Sequence, residues 1–221
     1  EHAATLHYQY WNTEKPAQHH SFLIDAAAQV NGYASDVTRT YAAKQDEFQA
    51  LIDALDKEQQ VLCKRVKPEV DFRILHMEAH HAIARLLNQF DFVRLPPDTI
   101  VAKQISNTFL PHGLGHLLGL QVHDVGGFMA NPRGDLIPKP EGHPYLRNTR
   151  VLKETFVTTI EPGLYFIPSM LDKLKASAHA RHVNWKKVDE FRQYGGIRIE
   201  DNVVAKTGGP ENLTRDAFKV M

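Results

Sequence analysis

Four carboxylates and one imidazole recur along the chain in short, distinctive segments, and together they could bind divalent cations. The five residues are Asp25, Asp36, His116, Glu161 and Glu200. Oxygen-rich ligand sets of this kind suit manganese, iron(II), cobalt or zinc. Four carboxylates gathered in one small site repel one another unless cations neutralise them, so the set predicts two divalent ions rather than one.

The spacing of the two aspartates fits a β-hairpin. Asn31-Gly32 is a strong signal for a two-residue turn, because both central residues of a type I′ turn need a positive φ. Such a turn places Asp36 opposite Ala27, and Ala27 shares a face with Asp25 because strand side chains alternate. The aspartates would then be diagonal neighbours, roughly 5–8 Å apart at the backbone, whereas a shift of one residue would put them on opposite faces.

The remaining candidate ligands stand in segments that predict a cleft. Arg198 and Glu200 alternate with isoleucines, so this polar pair is predicted to face a site while the isoleucines face a core. Glu161 ends an apolar run and precedes a Pro-Gly pair, which predicts the end of a strand. His116 follows two glycines, which allow a close approach of the backbone.

Each of these residues, taken alone, has an ordinary structural explanation. Asp36 could cap a strand edge, and Glu200 could form a structural ion pair with Arg198. His116 could be a core histidine bonded to a backbone carbonyl. The order and context of all five residues favour the functional interpretation, so we treat them as one candidate site.

Five ordered segments of the chain resemble the metallopeptidases of the pita-bread fold, a family that includes methionine aminopeptidases, X-Pro aminopeptidases and prolidases. Residues 111–127 and 194–204 are most similar to those of the bacterial Xaa-Pro dipeptidases, or prolidases. The resemblance runs from about His2 to Met221, essentially the whole chain. Ala27 departs from the pattern, since relatives usually carry glycine there, but the added methyl group leaves the ligands intact.

The resemblance implies an α+β fold in which helices pack on one side of a curved antiparallel sheet. It also implies that residues 1–221 are one metallopeptidase catalytic domain, incomplete at its N-terminal side, with a separate N-terminal domain absent. We expect such a fragment to be less stable and less active than the full-length protein, and we expect the full-length protein to be a homodimer.

By the same resemblance, the protein is a dimetal hydrolase that cleaves dipeptides with a C-terminal proline. Asp25 would bind one metal and His116 with Glu161 the other, while Asp36 and Glu200 would bridge both. The metals are expected to be manganese, with cobalt, zinc or iron(II) as alternatives. A hydroxide bridging the metals would attack the scissile carbonyl, and Glu161 would accept the proton of the attacking water.

The substrate site also follows from the resemblance. His112 and His123 are expected to take part in catalysis, with His123 stabilising the tetrahedral oxyanion. His112 and Arg150 would hold the substrate carboxylate, and His7 and Arg198 complete the expected set. From its residue type alone, Arg150 could equally serve a local salt bridge.

Other functions of the same residues stay open. The site could belong to an aminopeptidase that releases residues before proline in longer peptides, or it could hydrolyse phosphotriesters. A cationic residue closing the far end of the pocket would favour the dipeptidase. Outside enzymes, the fold also serves as a metal-free binding module, but such modules typically lose ligands that this chain keeps.

Composition argues against several classes of partner. The 221 residues are 43% hydrophobic and 24% charged, which is ordinary for a soluble globular protein. Basic and acidic residues number 26 each, so no strong field attracts nucleic acid or an anionic membrane. The single cysteine, Cys63, excludes an internal disulfide and suits the reducing cytoplasm, where we expect the protein.

Hydrophobic periodicity predicts the elements that position the site. Strands are predicted at residues 4–11, 20–41 and 197–205, and helices at 44–64, from Pro68 onward, around 169–176 and around 185–191. Residues 121–150 are predicted to form a long loop, which is often a lid or a binding wall. Arg39 is predicted to form a structural ion pair, and His143, His179 and His182 are predicted to lie at the surface.

Overall fold

The computed structural model describes residues 18–220, so the predicted strand at 4–11 and the expected substrate residue His7 lie outside the described residues. The described residues combine short antiparallel sheets with helices, which confirms the predicted α+β class. None of the helices within 18–220 combines the length and the apolar character that a membrane crossing requires.

The first structured segment is the predicted hairpin. Its strands are β1 (Ser21–Ala26), β2 (Gln29–Val30), β3 (Tyr33–Ala34) and β4 (Val37–Ala42), with β1 paired to β4 and β2 to β3. Asn31 and Gly32 have φ values of 51° and 85°, as a type I′ turn requires. Asp25 faces Thr38 across the strands, in the same register that pairs Val30 with Tyr33. The predicted turn and register are therefore confirmed, although the strands are interrupted near Asp36.

Two long helices follow the hairpin, α1 (Glu47–Cys63) and α2 (Phe72–Gln89). Asp46 caps α1 by accepting hydrogen bonds from the backbone N–H groups of the first turn. Asp71 caps α2 in the same way, so the predicted start of this helix at Pro68 is wrong. The backbone between Pro68 and Asp71 turns instead, because Glu69 adopts a positive φ of 66°.

The C-terminal half supplies short strands and helices. The strands are β5 (Val157–Ile160), β6 (Gly163–Tyr165), β7 (Gly196–Arg198), β8 (Asp201–Val204) and β9 (Glu211–Asn212). The helices are α3 (Pro97–Ala102), α4 (Ser106–Phe109), α5 (Pro168–Lys175), α6 (Trp185–Phe191) and α7 (Leu213–Lys219). The two short helices predicted around 169–176 and 185–191 are confirmed as α5 and α6. The strand predicted at 197–205 is divided between β7 and β8.

Threonines join the hairpin to the C-terminal strands. Thr40 Oγ1 accepts a hydrogen bond from the Arg198 backbone at 3.1 Å and lies 3.0 Å from the Arg198 carbonyl oxygen. The backbone N–H of Glu200 donates to the Thr38 carbonyl at 3.0 Å. The strands that carry the acidic residues therefore lie side by side, although the structure divides them among several small sheets.

The helices cover one side of these strands. Helix α1 packs on β4 and β5, and α7 packs on β8. Arg215 of α7 bonds to Asp56 of α1 and to Asp201 of β8, each at 2.6 Å. Arg39 also bonds to Asp201 at 2.6 Å, which confirms its predicted structural ion pair. This arrangement leaves the opposite side of the strands to the candidate ligands.

The long loop predicted at 121–150 is confirmed, since it contains no helix or ladder strand. His143 in this loop is buried, so its predicted surface position is wrong. Its backbone N–H bonds to the Pro140 carbonyl at 3.1 Å, and Asn107 donates to the neighbouring Gly142 carbonyl at 3.0 Å. These contacts hold His143 against the helical core.

Candidate metal centre

The structure brings the predicted ligands to one cavity of about 1410 Å³. Asp36, His116 and Glu200 each offer a ligand atom within 4.8 Å of the other two. His116 Nε2 lies 3.6 Å from Asp36 Oδ2 and 3.5 Å from Glu161 Oε1. Asp25 lines the same cavity. All five residues singled out in the sequence therefore line one cavity, although they come from four distant parts of the chain.

His116 is held with one nitrogen facing the carboxylates. Its Nδ1 lies 3.0 Å from the Leu117 carbonyl oxygen, which can only accept, so Nδ1 carries the proton and Nε2 keeps a lone pair. Its backbone N–H donates to Thr159 Oγ1 at 3.0 Å. The preceding Gly115 is required here, because a Cβ atom would lie 2.0 Å from the Thr159 carbonyl oxygen. The close backbone approach predicted for this segment is confirmed.

The acidic residues are positioned by their neighbours along the strands. Glu200 Oε2 accepts a hydrogen bond from Thr38 Oγ1 at 2.6 Å, whereas Glu200 Oε1 is buried without a hydrogen-bond partner among the described residues. The Asp36 backbone N–H donates to Asn202 Oδ1 at 3.0 Å. Glu161 Oε1 accepts a hydrogen bond from Thr159 Oγ1 at 3.3 Å.

Burial makes these carboxylates hard to ionise. Desolvation, followed by the charge of Asp36, raises the pKa of Glu200 to about 8. Desolvation, followed by the charge of Glu200, raises the pKa of Glu161 well above its ordinary value. Both shifts show that burial, together with the neighbouring carboxylates, disfavours the ionised form of these groups, and that nearby cationic side chains only partly offset this effect. A hard divalent cation would supply the remaining compensation and a partner for Glu200 Oε1, so the residues fit a metal centre.

A hydrogen-bonded row connects the centre to His112. Arg198 Nη2 contacts Asp25 Oδ2, and Arg198 Nη1 donates to the Tyr165 hydroxyl at 3.0 Å. That hydroxyl lies 2.9 Å from His112 Nε2. His112 Nδ1 faces the Gly113 carbonyl at 2.7 Å and must carry the proton, so Nε2 accepts from Tyr165. The row fixes the tautomer and orientation of His112.

The other expected catalytic and substrate residues differ in their positions. His123 lines the cavity, and its ring centroid lies 4.3 Å from that of His116. Arg150 is not among the residues that line the described cavity. Its guanidinium lies 4.9 Å from the Phe156 ring centroid, and its Nη1 contacts the Gly126 carbonyl at 3.4 Å.

Three further cationic residues line the cavity without having been predicted at the site: Lys139, Arg147 and Lys173. The first two come from the long loop, whose path across the site cannot be predicted from local periodicity. Thr38 and Tyr165 were missed for a different reason. Thr38 follows Asp36 by two residues, and Tyr165 follows Gly163 by two residues. Because strand side chains alternate between faces, this spacing was a signal that both side chains face the site.

Residues 1–207 match the model of Metallopeptidase family M24. The chain belongs to this family. Xaa-Pro dipeptidases of Xanthomonas campestris pv. campestris and Stenotrophomonas maltophilia are each 52% identical to it over 219 residues, 99% of this chain. This chain covers 50% and 49% of the length of those two relatives, so it spans about half the length of the curated relatives it matches.

Solved structures of the M24 family share the fold. Aminopeptidase PepP of Pseudomonas aeruginosa superposes with a TM-score of 0.72 at 26% identity, over 96% of this chain and 42% of that one. Zinc-substituted Escherichia coli aminopeptidase P in complex with product gives 0.70 at 28% identity, over 97% and 42%. These likenesses confirm the predicted pita-bread fold. Membership of a metallopeptidase family also agrees with the metal-binding character of the acidic cluster.

Proposed function

We propose that the protein hydrolyses dipeptides with a C-terminal proline, using two divalent metal ions that are Mn²⁺ in the native state. The observation that carries the proposal is the convergence of four carboxylates and His116 on one cavity, in a chain 52% identical to Xaa-Pro dipeptidases. Burial, followed by the charges of neighbouring carboxylates, raises the pKa of Glu161 and Glu200, and this gathering of carboxylates supports two cations rather than one.

The five ligands divide between the two ions. Asp25 would help hold one ion and His116 with Glu161 the other, and Asp36 and Glu200 would contribute to both. When bound, such ions polarise a carbonyl group and lower the pKa of water to near neutrality. Thr38, Thr159 and the Leu117 carbonyl orient the ligands through the contacts described above, which is the usual role of an outer ligand shell.

The protein side chains handle the protons and the developing charge. Glu161, whose Oε1 lies 3.5 Å from His116 Nε2 at the centre, would accept a proton from the attacking water. His123, whose ring lies beside that of His116, donates a hydrogen bond to the oxyanion of the tetrahedral intermediate. His112, held by Tyr165 and the Gly113 carbonyl, positions the substrate.

Cationic side chains on the cavity wall support a substrate with a free carboxylate. Lys139, Arg147 and Arg198 line the cavity, and Arg150 remains a proposed carboxylate ligand from the same loop as Arg147. A cation near the C-terminus of a dipeptide would select short substrates over longer peptides. A tertiary Xaa-Pro amide has no N–H group, so the site has to select by shape and charge rather than through that donor.

The experiment compares Xaa-Pro dipeptides with their C-terminal amides and with tripeptides, using the Mn²⁺-loaded protein. We expect the amide to cost roughly 30- to 1000-fold in kcat/KM, because a charge-assisted contact is lost. Arg150→Ala should remove most of this discrimination, whereas Arg147→Ala is the matched comparison from the same loop. If the amide effect persists in Arg150→Ala and disappears in Arg147→Ala, Arg147 is the carboxylate ligand.

Aminopeptidase activity on longer peptides is the competing function, because the superposed solved structures are aminopeptidases P. Faster cleavage of Xaa-Pro-Yaa tripeptides than of Xaa-Pro dipeptides would establish it and would contradict the dipeptidase. Homodimer formation and a cytoplasmic location remain predictions for the full-length protein.

A further inference from the structure

Three histidines form a second cluster that shares no residue with the five ligands of the M24 centre. His76 and His80 lie one turn apart on α2, and His143 comes from the long loop. One ring nitrogen of each lies within 4.8 Å of the other two. His76 Nε2 is 2.9 Å from His143 Nδ1, and the ring centroids of His80 and His143 are 4.5 Å apart. Three imidazoles therefore converge on one small volume.

The surroundings provide fewer partners than these rings have nitrogens. His76 and His80 are each 1% exposed, and His143 is 9% exposed. His76 Nδ1 and His80 Nε2 are buried and have no hydrogen-bond partner among the described residues. Buried polar atoms are almost always satisfied, so two unmatched nitrogens in one cluster indicate a ligand that completes it.

The histidines of α2 are in the protonation state that binds metal. Burial is the largest cause that lowers the pKa of His76 to about 2 and that of His80 to about 3. Both rings are therefore neutral at physiological pH, and each keeps a lone pair on one nitrogen. The lone pairs of these neutral rings are therefore free to be donated to a metal cation.

We propose that His76, His80 and His143 bind one divalent transition-metal ion, with Zn²⁺ as the best fit, at a site separate from the carboxylate centre. Three imidazoles without a carboxylate favour zinc, copper or nickel over manganese or magnesium. Histidines at positions i and i+4 of one helix face are a recurring zinc-binding pair. Zinc commonly takes three protein nitrogens and completes its shell with water.

Two neighbouring features fit this site. Ser106 Oγ lies 3.0 Å from His80 Nδ1. When this hydroxyl oxygen accepts a hydrogen bond from the protonated Nδ1, His80 Nε2 keeps its lone pair and is the ligand atom. Such an outer contact fixes the tautomer of a ligating histidine. A small cavity of about 140 Å³ is lined by His76 and His143, so open space adjoins two of the three rings.

The ion would connect the long loop to the helical core. His143 stands shortly before Tyr145 and Arg147, and both of these line the large cavity. Tyr145 and His112 line the small cavity as well. Occupancy of the histidine site would therefore fix the part of the loop that forms a wall of the substrate cavity.

The test measures bound metal per chain in a protein without a histidine tag, after dialysis against Zn²⁺ or Co²⁺. The comparison uses His80→Gln and His143→Gln against His81→Gln. His81 is adjacent on α2 and contacts the exposed Asp98, so it is the matched control. We expect the first two variants to lose one equivalent that the wild type and His81→Gln retain. The Co²⁺ form should show visible absorption from nitrogen ligands that disappears with that equivalent.

An Asp36→Asn background separates this proposal from the proposed peptidase activity. With the carboxylate centre impaired, Zn²⁺ should still raise the melting temperature, and His80→Gln in that background should abolish the increase. Circular dichroism establishes that each variant is folded. Equal metal content in wild type, His80→Gln and His143→Gln, with ordered water in the cluster by crystallography, would overturn the proposal.

Discussion

The carboxylate cluster around His116 and the histidine cluster on α2 are both buried, but burial has opposite consequences in the two places. In the first, desolvation raises the pKa of Glu161 and Glu200, so without a cation these carboxyl groups retain protons. In the second, desolvation lowers the pKa of His76 and His80 and leaves neutral rings. A cation in the first site compensates charge, whereas a cation in the second only occupies lone pairs. The two sites should therefore differ in metal preference and in their response to pH.

The largest expected effect is on catalysis. Asp36→Asn preserves shape but removes one charge from the centre, so kcat/KM for Xaa-Pro dipeptides should fall by more than roughly 100-fold, together with Mn²⁺ content. Asp98→Asn, at an exposed carboxylate on α3, is the control and should keep both. Near-normal turnover of Asp36→Asn with two metals bound would remove Asp36 from the centre.

The second effect is on the stability of the metal-free protein. The folded pKa of Glu200 is about 8 and its ordinary value is 4.5, so between these values the folded state holds a proton that the unfolded state has released. The free energy of unfolding should therefore fall as pH rises from about 4.5 to 8, by at most about 1.4 kcal/mol per pH unit for this group. Urea titrations should show a shallower decline in Glu200→Gln. An identical slope in the variant would contradict the raised pKa.

The histidine cluster should show the opposite dependence. His80 has a folded pKa of about 3 against an ordinary 6.5, so between these values only the unfolded state binds the proton. The contribution of His80 to stability is complete above pH 6.5 and is lost as pH falls. His80→Gln should therefore reduce the acid sensitivity of the metal-free protein between pH 4 and 6.5, as measured by urea unfolding. His81→Gln, at a partly exposed ring, should leave the profile of the wild type.

The smallest effects concern residues that orient the ligands. Thr38→Val removes the hydroxyl that donates to Glu200, and Ser106→Ala removes the one beside His80. Each loss should weaken one site by roughly 10- to 100-fold in metal affinity. Calorimetric titrations should show that Thr38→Val affects Mn²⁺ and leaves the histidine-bound Zn²⁺ unchanged, with the reverse for Ser106→Ala. A loss of both affinities in either variant would indicate that the sites are coupled.

The two clusters also differ in how far the sequence predicts them. The spacing around Asn31-Gly32 predicts the pairing of Asp25 with the strand that follows Asp36, because turn chemistry sets the register locally. The cluster of His76, His80 and His143 depends on the path of a long loop, which no local pattern determines. His143 was therefore predicted at the surface, although the fold buries it.

Helix boundaries and contacts between distant segments are likewise harder to predict from the sequence than a local turn. Pro68 favours a helix start, but Asp71 supplies the stronger cap and the helix begins after it. The row from Asp25 through Arg198 and Tyr165 to His112 joins four segments by side-chain hydrogen bonds. Periodicity indicates which faces these side chains share, but only the packed structure shows their partners.

Anomalous diffraction from Mn²⁺-soaked crystals of active protein would locate the ions themselves and so decide whether the carboxylate cluster is the metal centre. We expect two anomalous peaks at the manganese edge, within coordination distance of Asp25, Asp36, His116, Glu161 and Glu200. Crystals of fully active protein with no peak among these residues would contradict the assignment of the carboxylate cluster as the metal centre.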